Sequence, residues 1–392
     1  MDTIGKGGII MIKILYVVGI WANGGIEKVV YTYCKNLPRN KYQIYLLPIE
    51  KYDSVFTNKI KKIGITILEP TEKVTGNMYK KYLTRKKILC NAVKNDDFDI
   101  VHFHNSLATS YLFIDAMKRI SPKTKYILHS HGDNVEAPYV LIKKLLNSLI
   151  KNLYKDVPDF CSACSNSAGK WLFADSVFNS HKYETLFNAF DTEEYAFDGH
   201  KRALLKSQYN ITSKYVVGTI GRFCYQKNPE FIIKVIQELD KKDEDFTFVW
   251  IGDGPDKQRI QKLGSQYGVD NRILYISYTD DVPGYLSLMD LFILPSRYEG
   301  LVLVLVEALA SGLRCLASEV ITRDTQITER ISYLPIDKHS KWAEQISFYF
   351  DQEMLIFKER EYPKKQMQDS GFDIEPLIEK VDKIYSSLME DK

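Results

Sequence analysis

The 392 residues are too many for one ordinary core and suit two domains of roughly 100–200 residues each. At 45% hydrophobic and 26% charged the composition is that of a globular chain, and no run of about 18 apolar residues occurs that would span a bilayer. The net charge of +3 hides an asymmetry: residues 1–190 hold 27 Lys and Arg against 16 Asp and Glu, the remainder 26 against 34. A basic front half calls for an anionic partner, and nucleic acid, a membrane surface and a phosphorylated lipid are the candidates.

Met1 to Ile10 has little pattern. Lys13 to Val18 is a buried-strand run, and Ile20-Trp-Ala-Asn-Gly-Gly-Ile-Glu-Lys-Val-Val reads as strand, glycine turn and helix start. The strand is too short and too closely followed by Asn-Gly-Gly to be a signal peptide, so the chain is expected in the cytoplasm. Gly24 and Gly25 can bring backbone N–H groups up to an anion at the helix start, or make a plain tight turn; the dinucleotide fingerprint and the P-loop are both absent. Strand-like runs recur at Gln43 to Ile49, Ile65 to Leu68, Ile100 to His104, Tyr126 to His129 and Asp159 to Ala163, with helix-like intervals. This alternation predicts a mostly parallel sheet with helices on both faces, whose ligands meet the carboxyl ends of the strands.

Four of the seven histidines fall at such ends, His102 and His104 on one strand and His129 and His131, followed by Asp133, on the next. His131 is the leading functional candidate, and hydrogen-bonded core residues are the alternative. The six cysteines are scattered; Cys161 and Cys164 are three apart, which on a strand sends them to opposite faces, and they are read as core residues. In Leu141 to Lys155 the residues Ile142, Leu145, Leu146, Leu149, Ile150 and Leu153 share one helical face opposite Lys143, Lys144, Lys151 and Lys155. Packing of that stripe on its own sheet is expected, with an interfacial helix on anionic lipid as the alternative. Met78 to Lys94 adds five more cations before Lys94 itself.

After Asn188-Ala-Phe-Asp191 an irregular stretch to about Ser213 is expected to be the hinge. A second set of strands follows: Tyr215 to Ile220, Phe246 to Ile251, Arg272 to Ile276, Leu291 to Leu294 and Leu313 to Ser318. Arg222 and Lys227, five apart in the loop leaving the first of these, can converge on one phosphate, or stand as solvated cations. Gly252-Asp-Gly-Pro255 ends the next strand, admitting a close ligand or making a turn. Pro295 to Gly312 sets Glu299 and Glu307 around an apolar run, read as a helix opening near Leu303. A solvated surface role fits Glu299 better than Glu307, because an ionised carboxylate inside an apolar run needs a partner.

Gly-Arg-Phe-x3-Lys-Asn, Gly-Asp-Gly-Pro, Asp-Val-Pro, Met-Asp-Leu-Phe-Ile-Leu-Pro-Ser-x-Tyr-Glu-Gly-Leu and Glu-Ala-Leu-Ala-Ser-Gly, in that order, resemble family four of the retaining, nucleotide-sugar-dependent glycosyltransferases, and within it the branch that makes bacterial exopolysaccharide and capsule. Gly-Gly-Ile-Glu, His-Ser-His and Asn-Ala-Phe-Asp fit as well, so the resemblance covers nearly the whole chain. It implies an α/β protein of GT-B fold, two Rossmann-like doubly wound domains facing a central cleft: residues 1–190, completed by a helix within 373–392, on the acceptor side, and 191–372 for the donor. It further implies Arg222 and Lys227 on the diphosphate, Glu307 on the ribose and Glu299 on the donor sugar. Gly252, Gly300, Leu301 and Val302 would lie near sugar and phosphate, Tyr278 and Val282 near the base, and His131 on the sugar. Gly24, Gly25, His104 and Asp133 would serve the diphosphate or the acceptor. Neither a cofactor nor a metal is implied.

The expected reaction is transfer of a sugar from a UDP-sugar to a saccharide or polyprenyl-linked saccharide, at the inner face of the cell membrane, without nucleic acid as partner. Asn188-Ala departs from the more frequent Asn-Gly, and the first loop lacks a proline common in other branches. A non-catalytic sugar-nucleotide sensor or assembly partner, or an epimerase on the same fold, are the competing classes. Intact Glu299, Arg222 and Lys227 argue against a decayed partner, and an epimerase would convert donor without acceptor.

Overall fold

Apolar runs flanked on both sides by helical intervals form parallel strands, since a strand covered on both faces needs no polar side. The computed structural model describes residues 11–21, 25–52, 54–132, 140–299, 302–352, 354–355 and 360–390. The chain divides into two units, Met1–Ala189 with Glu375–Lys392, and Phe190–Ile374. The first runs β1 (Ile12–Trp21), α1 (Gly25–Asn36), β2 (Tyr42–Tyr52), α2 (Ser54–Lys62), β3 (Thr66–Ile67), α3 (Met78–Asn95), β4 (Ile100–His104), α4 (Thr109–Ile120), β5 (Lys125–Ser130), α5 (Val140–Leu153), β6 (Phe160–Ala163), α6 (Asn166–Leu172), α7 (Asp175–Phe178) and β7 (Tyr183–Thr185). The second runs α8 (Gly199–Gln208), β8 (Tyr215–Ile220), α9 (Pro229–Lys241), β9 (Phe246–Ile251), α10 (Lys257–Gln266), β10 (Ile273–Ile276), α11 (Val282–Leu288), β11 (Leu291–Leu294), α12 (Leu303–Ala310), β12 (Arg314–Ser318), β13 (Ile331–Leu334), α13 (His339–Asp351) and α14 (Lys364–Ser370); α15 (Ile374–Glu390) closes the chain.

Each unit holds one sheet, in the orders β3-β2-β1-β4-β5-β6-β7 and β10-β9-β8-β11-β12-β13, and every strand pair is parallel. Both orders reverse once, between β1 and β4 and between β8 and β11. Loops leaving the carboxyl ends there diverge to opposite faces and open a crevice for a ligand.

In the first unit Leu15, Val17, Val101 and Phe103 meet α3, α4 and α6 on one face, while Ile14, Tyr16, Ile100 and Ile127 meet α1, α2 and α15 on the other. His102, His104, His129 and His131 lie side by side on the α15 face. Their rings stack, with centroids 4.2 Å apart for His102 and His104, 5.0 Å for His104 and His129, and 4.3 Å for His129 and His131. Tyr385 of α15 reaches His102 Nδ1 at 2.7 Å and the Tyr16 hydroxyl at 2.8 Å, and His104 Nδ1 lies 2.8 Å from His131 Nε2. His102, His104 and His129 are buried.

In the second unit the strand approach to β11 is fixed from below. The Asp290 carboxylate accepts from Arg202 of α8 at 2.9 Å and from the Val216 amide at 2.8 Å, with both side chains buried. The stretch expected to be irregular therefore contains a helix: Asp198 caps α8 by accepting from His200 and Lys201 amides, and Arg202 carries it onto the sheet. β7 and β13, which no apolar run announced, each form one edge of their sheet; β3 and β10 form the other edges.

Removing Asp290 leaves Arg202 buried without its carboxylate. Asp290→Ala is expected to destabilise by about 3–5 kcal/mol, read as a lower urea midpoint, and Arg202→Met in the same chain should restore much of it. Burial holds His102 at a pKa of about 3, against an ordinary 6.5. Between those values the unfolded chain binds the extra proton, so stability is whole above about pH 6.5 and falls toward pH 3, by about 1.4 kcal/mol per pH unit for each such ring. His129, also pushed well down by burial, has no partner for either ring nitrogen among the described residues. His129→Leu should therefore flatten the fall in urea midpoint between pH 7.5 and 5.5; an unchanged slope would place the acid sensitivity elsewhere.

Candidate active site

Glu299 and Lys227 meet where the order of the second sheet reverses. Lys227, in the loop leaving β8, places Nζ 2.6 Å from Glu299 Oε1, in the loop leaving β11; their side chains are 20% and 8% exposed. Gln226 Nε2 donates to Glu299 Oε2 at 3.0 Å and to the Tyr298 carbonyl at 3.2 Å. The Arg297 amide in turn donates to the Gln226 carbonyl at 2.8 Å, so the two loops are laced together around the carboxylate. Lys227-Asn-Pro can make this turn because Asn228 tolerates its left-handed φ of +55° and Pro229 starts α9 without needing an amide partner. The alternative of a solvated surface Glu299 does not hold: the β8 loop folds over it and gives it a cation and an amide. Arg222 stays exposed and makes no ion pair among the described residues.

Glu307 sits on α12, whose start at Leu303 is where the sequence placed it. Its carboxylate is half-buried and accepts from the Tyr195 hydroxyl at 3.3 Å, which supplies one partner for a charge in an apolar run. Burial first, and then that carboxylate, push the Tyr195 phenol well up. Among the described residues no side chain caps the first turn of α12, and the Leu303 and Val304 amides ahead of Leu305, which donates to the Val302 carbonyl at 3.1 Å, remain available to an acceptor. At its other end Arg360 donates to the carbonyls of Ser311, Leu286 and Met289 at 2.9, 3.0 and 2.7 Å, fixing α12 against the turn before β11. Burial lowers this guanidinium to a pKa of about 9.

The glycines of Gly252-Asp-Gly have a definite use. A Cβ on Gly252 (φ +152°) would fall 2.0 Å from the Gly221 carbonyl oxygen, and one on Gly254 (φ +155°) 2.5 Å from that of Phe223. The Phe223 amide donates to the Asp253 carbonyl at 3.0 Å. What approaches these glycines is the neighbouring loop, and their first task is to hold the Arg222 segment in place. Tyr278 is exposed and bonds Asp280, Val282 opens α11, and Val302 is buried just before α12. Gly300, Leu301, Gly24 and Asp133 lie outside the described residues.

In the first unit, Gly25 opens α1, and a cavity of about 330 Å³ lies where the strand order reverses. It is lined by Ile26 and Glu27 of α1, Glu50, Arg85, and His104 with Asn105 at the end of β4. The Arg85 guanidinium lies 2.6 Å from Glu50. His131 is bonded to His104 through its ring, and its amide donates to the Ser106 hydroxyl at 3.0 Å. The nitrogens of His102, His104 and His129 come within 4.8 Å of one another, a spacing that fits three ring nitrogens on one ion. Sequence reasoning missed Gln226, Tyr195 and Arg360: each is an unremarkable polar residue until the fold brings it to a partner far along the chain.

Residues 23–194 match the model of Glycosyltransferase Family 4, and residues 201–369 that of Glycosyl transferases group 1. The Bacillus subtilis protein EpsF, which carries the name of a glycosyltransferase, is 26% identical over 381 residues, covering 95% of this chain and 96% of its own. The UDP-Gal:alpha-D-GlcNAc-diphosphoundecaprenol alpha-1,3-galactosyltransferase of Escherichia coli is 22% identical over 78% of this chain and 79% of its own. Among solved structures, HepE of Anabaena in complex with UDP and glucose superposes with a TM-score of 0.73 at 14% identity, over 96% of this chain and all of that one, a likeness of fold. Two parallel Rossmann-like sheets with these matches make the chain a member of the family 4 glycosyltransferases, of GT-B fold, which take sugars from nucleotide-sugar donors.

Proposed function

We propose that the protein is a retaining glycosyltransferase that moves a sugar from a UDP-sugar to a lipid-linked saccharide in cell-surface polysaccharide synthesis, at the cytoplasmic face of the membrane. The observation that carries this reading is the Lys227–Glu299 pair at the strand reversal of the second sheet, with exposed Arg222 on the Lys227 loop and the uncapped start of α12 following the Glu299 loop. Cations and free backbone N–H groups suit a diphosphate; carboxylates suit hydroxyls. The E. coli relative's name supports both the UDP donor and the diphospholipid acceptor, and the UDP complex of the Anabaena protein supports the former.

In the proposed reaction the bond from the sugar's anomeric carbon to the diphosphate oxygen breaks, and a bond from the same face of that carbon to the acceptor oxygen forms. The proton of the acceptor hydroxyl passes to the departing phosphate, so no protein base is required. Lys227 and Arg222 offset the charge that builds on the diphosphate as the bond lengthens. Lys227 is neutralised by Glu299 beforehand, and an arriving phosphate shares it, which leaves the Glu299 oxygens able to accept from sugar hydroxyls. Glu307 accepts from the ribose hydroxyls with Tyr195 as its fixed neighbour. Resemblance alone assigns His131 to the sugar, as a ring that burial keeps neutral. Neither a metal nor a cofactor takes part in this scheme.

The test is incubation with UDP-sugars and a polyprenyl-diphosphate saccharide, in the presence of a chelator, with the anomeric configuration of the product read by NMR. Transfer with retention supports the reading; inversion, or conversion of donor without acceptor, overturns it. Glu299→Gln keeps the shape but loses the charge, and turnover should fall at least a hundredfold while UDP still raises the melting temperature. Glu307→Ala should act on donor affinity instead, raising KM by about tenfold for the lost ribose bonds with a smaller change in kcat.

A further inference from the structure

Helix α5 is built with its polar side inward. Asn147 is buried and its Nδ2 donates to the Trp171 carbonyl at 2.7 Å, while Lys151 Nζ donates to the Lys170 carbonyl at 2.9 Å. Both carbonyls belong to the last turn of α6, where no helical amide remains to satisfy them. The α5 side chains that close this end of α6 are polar, and among the described side chains only Ile150 and the following Tyr154 join the core. As a consequence Leu145, Leu146, Leu149 and Leu153 point away from it, 72, 52, 57 and 69% exposed. At 100° per residue the four lie within an arc of about 100°. The expectation that this stripe packs on its own sheet is thus reversed.

A second ridge lies on the same side of the sheet. Tyr82 of α3 stacks on Phe113 of α4 at 5.1 Å, and Tyr82 and Tyr154, the residue after α5, both pack against the core on that side of the sheet. The outward residues of the ridge include Met78, Tyr79 and Leu83, all exposed. Together α3 and α5 carry nine Lys and Arg and no Asp or Glu. Lys80, Lys86 and Lys144 are exposed and make no ion pair with a carboxylate among the described residues.

We infer that the outer face of α5 with the first turns of α3 is a docking surface for an anionic lipid bilayer. The leucines enter the boundary between headgroups and acyl chains, and the lysines meet the headgroup phosphates while their stems lie along the apolar stripe. Lipid fits better than protein for two reasons. Lysine is depleted from protein interfaces, whereas an apolar stripe flanked by exposed lysines such as Lys80, Lys86 and Lys144, which make no ion pair among the described residues, matches an anionic bilayer. A bilayer also conforms to two separate ridges without a complementary groove. No helix among the described residues is long and apolar enough to cross a membrane, so this contact lies in the interface plane. The inference gives the lipid-linked acceptor proposed above a surface on which to be met, but its test uses neither donor nor acceptor, so either idea can fail alone.

The whole protein is floated with vesicles of phosphatidylcholine alone or with about 30% phosphatidylglycerol, the anionic fraction that supplies the surface potential. The protein should float with the anionic vesicles, remain behind with the neutral ones, and release as salt rises. Leu145→Asn with Leu149→Asn should lower the floated fraction at least tenfold with an unchanged urea midpoint, since neither side chain joins the core. Wild-type protein left in the soluble fraction with anionic vesicles, or a double variant that floats as well as wild type, overturns the inference. So does a wild-type dimer in sedimentation equilibrium that the double variant abolishes while vesicles capture neither, which would make the stripe a contact between copies of this chain.

Discussion

An acid and a base 2.6 Å apart and largely withdrawn from water govern the second unit. Neither Lys227 nor Glu299 could be held so on its own loop without the other, because an unpaired charge in that setting is costly. The pair is therefore both a latch and a store. It fastens the β8 loop to the β11 loop, with Gln226 bridging to the backbone and the glycines at 252 and 254 letting the β9 loop lie flat against its neighbour. It also keeps a lysine and a carboxylate ready, at the reversal of strand order, for a ligand that carries anionic and hydroxylic groups together. Asp290 and Arg360 support this from the other side, one anchoring the start of β11 and the other the end of α12.

The central strands were legible because they are apolar throughout: β4, β8, β9 and β11 lie at the residues their runs marked. Two of the edges were not. Tyr-Glu-Thr in β7 and Ile-Ser-Tyr-Leu in β13 are short and partly polar, as strands with one open side are, and resemble loops. α8 escaped notice because its sequence is mostly polar and its hold on the sheet is a single arginine. Within the site, Glu299, Glu307, Arg222 and Lys227 stood out by residue type and spacing, whereas Gln226 and Tyr195 acquire meaning only from partners 73 and 112 residues away.

Periodicity showed that α5 has an apolar stripe but could not say which side the protein would keep. A helical wheel assumes that the core wants the leucines. Here the nearest demand is the exposed end of α6, with carbonyls that need donors, and an asparagine and a lysine answer it better than any leucine. The stripe's orientation follows from hydrogen bonding in a neighbouring helix rather than from hydrophobicity.

Tyr385 stands among the histidines of the first sheet although it comes from the chain's last helix. The Tyr16 hydroxyl and His102 depend on it, as do the apolar positions that Leu377, Val381 and Leu388 cover. On the ribosome, then, the first unit to be made is the second to be finished. All of Phe190–Ile374 is synthesised before α15 emerges, and until then one face of the earlier sheet lacks its cover. Closing it requires contacts across some 280 to 370 residues, the kind that form late and leave apolar surface open to other chains meanwhile. The nascent protein passes through a state with a complete second unit and an unfinished first one, a period in which a chaperone has something to hold.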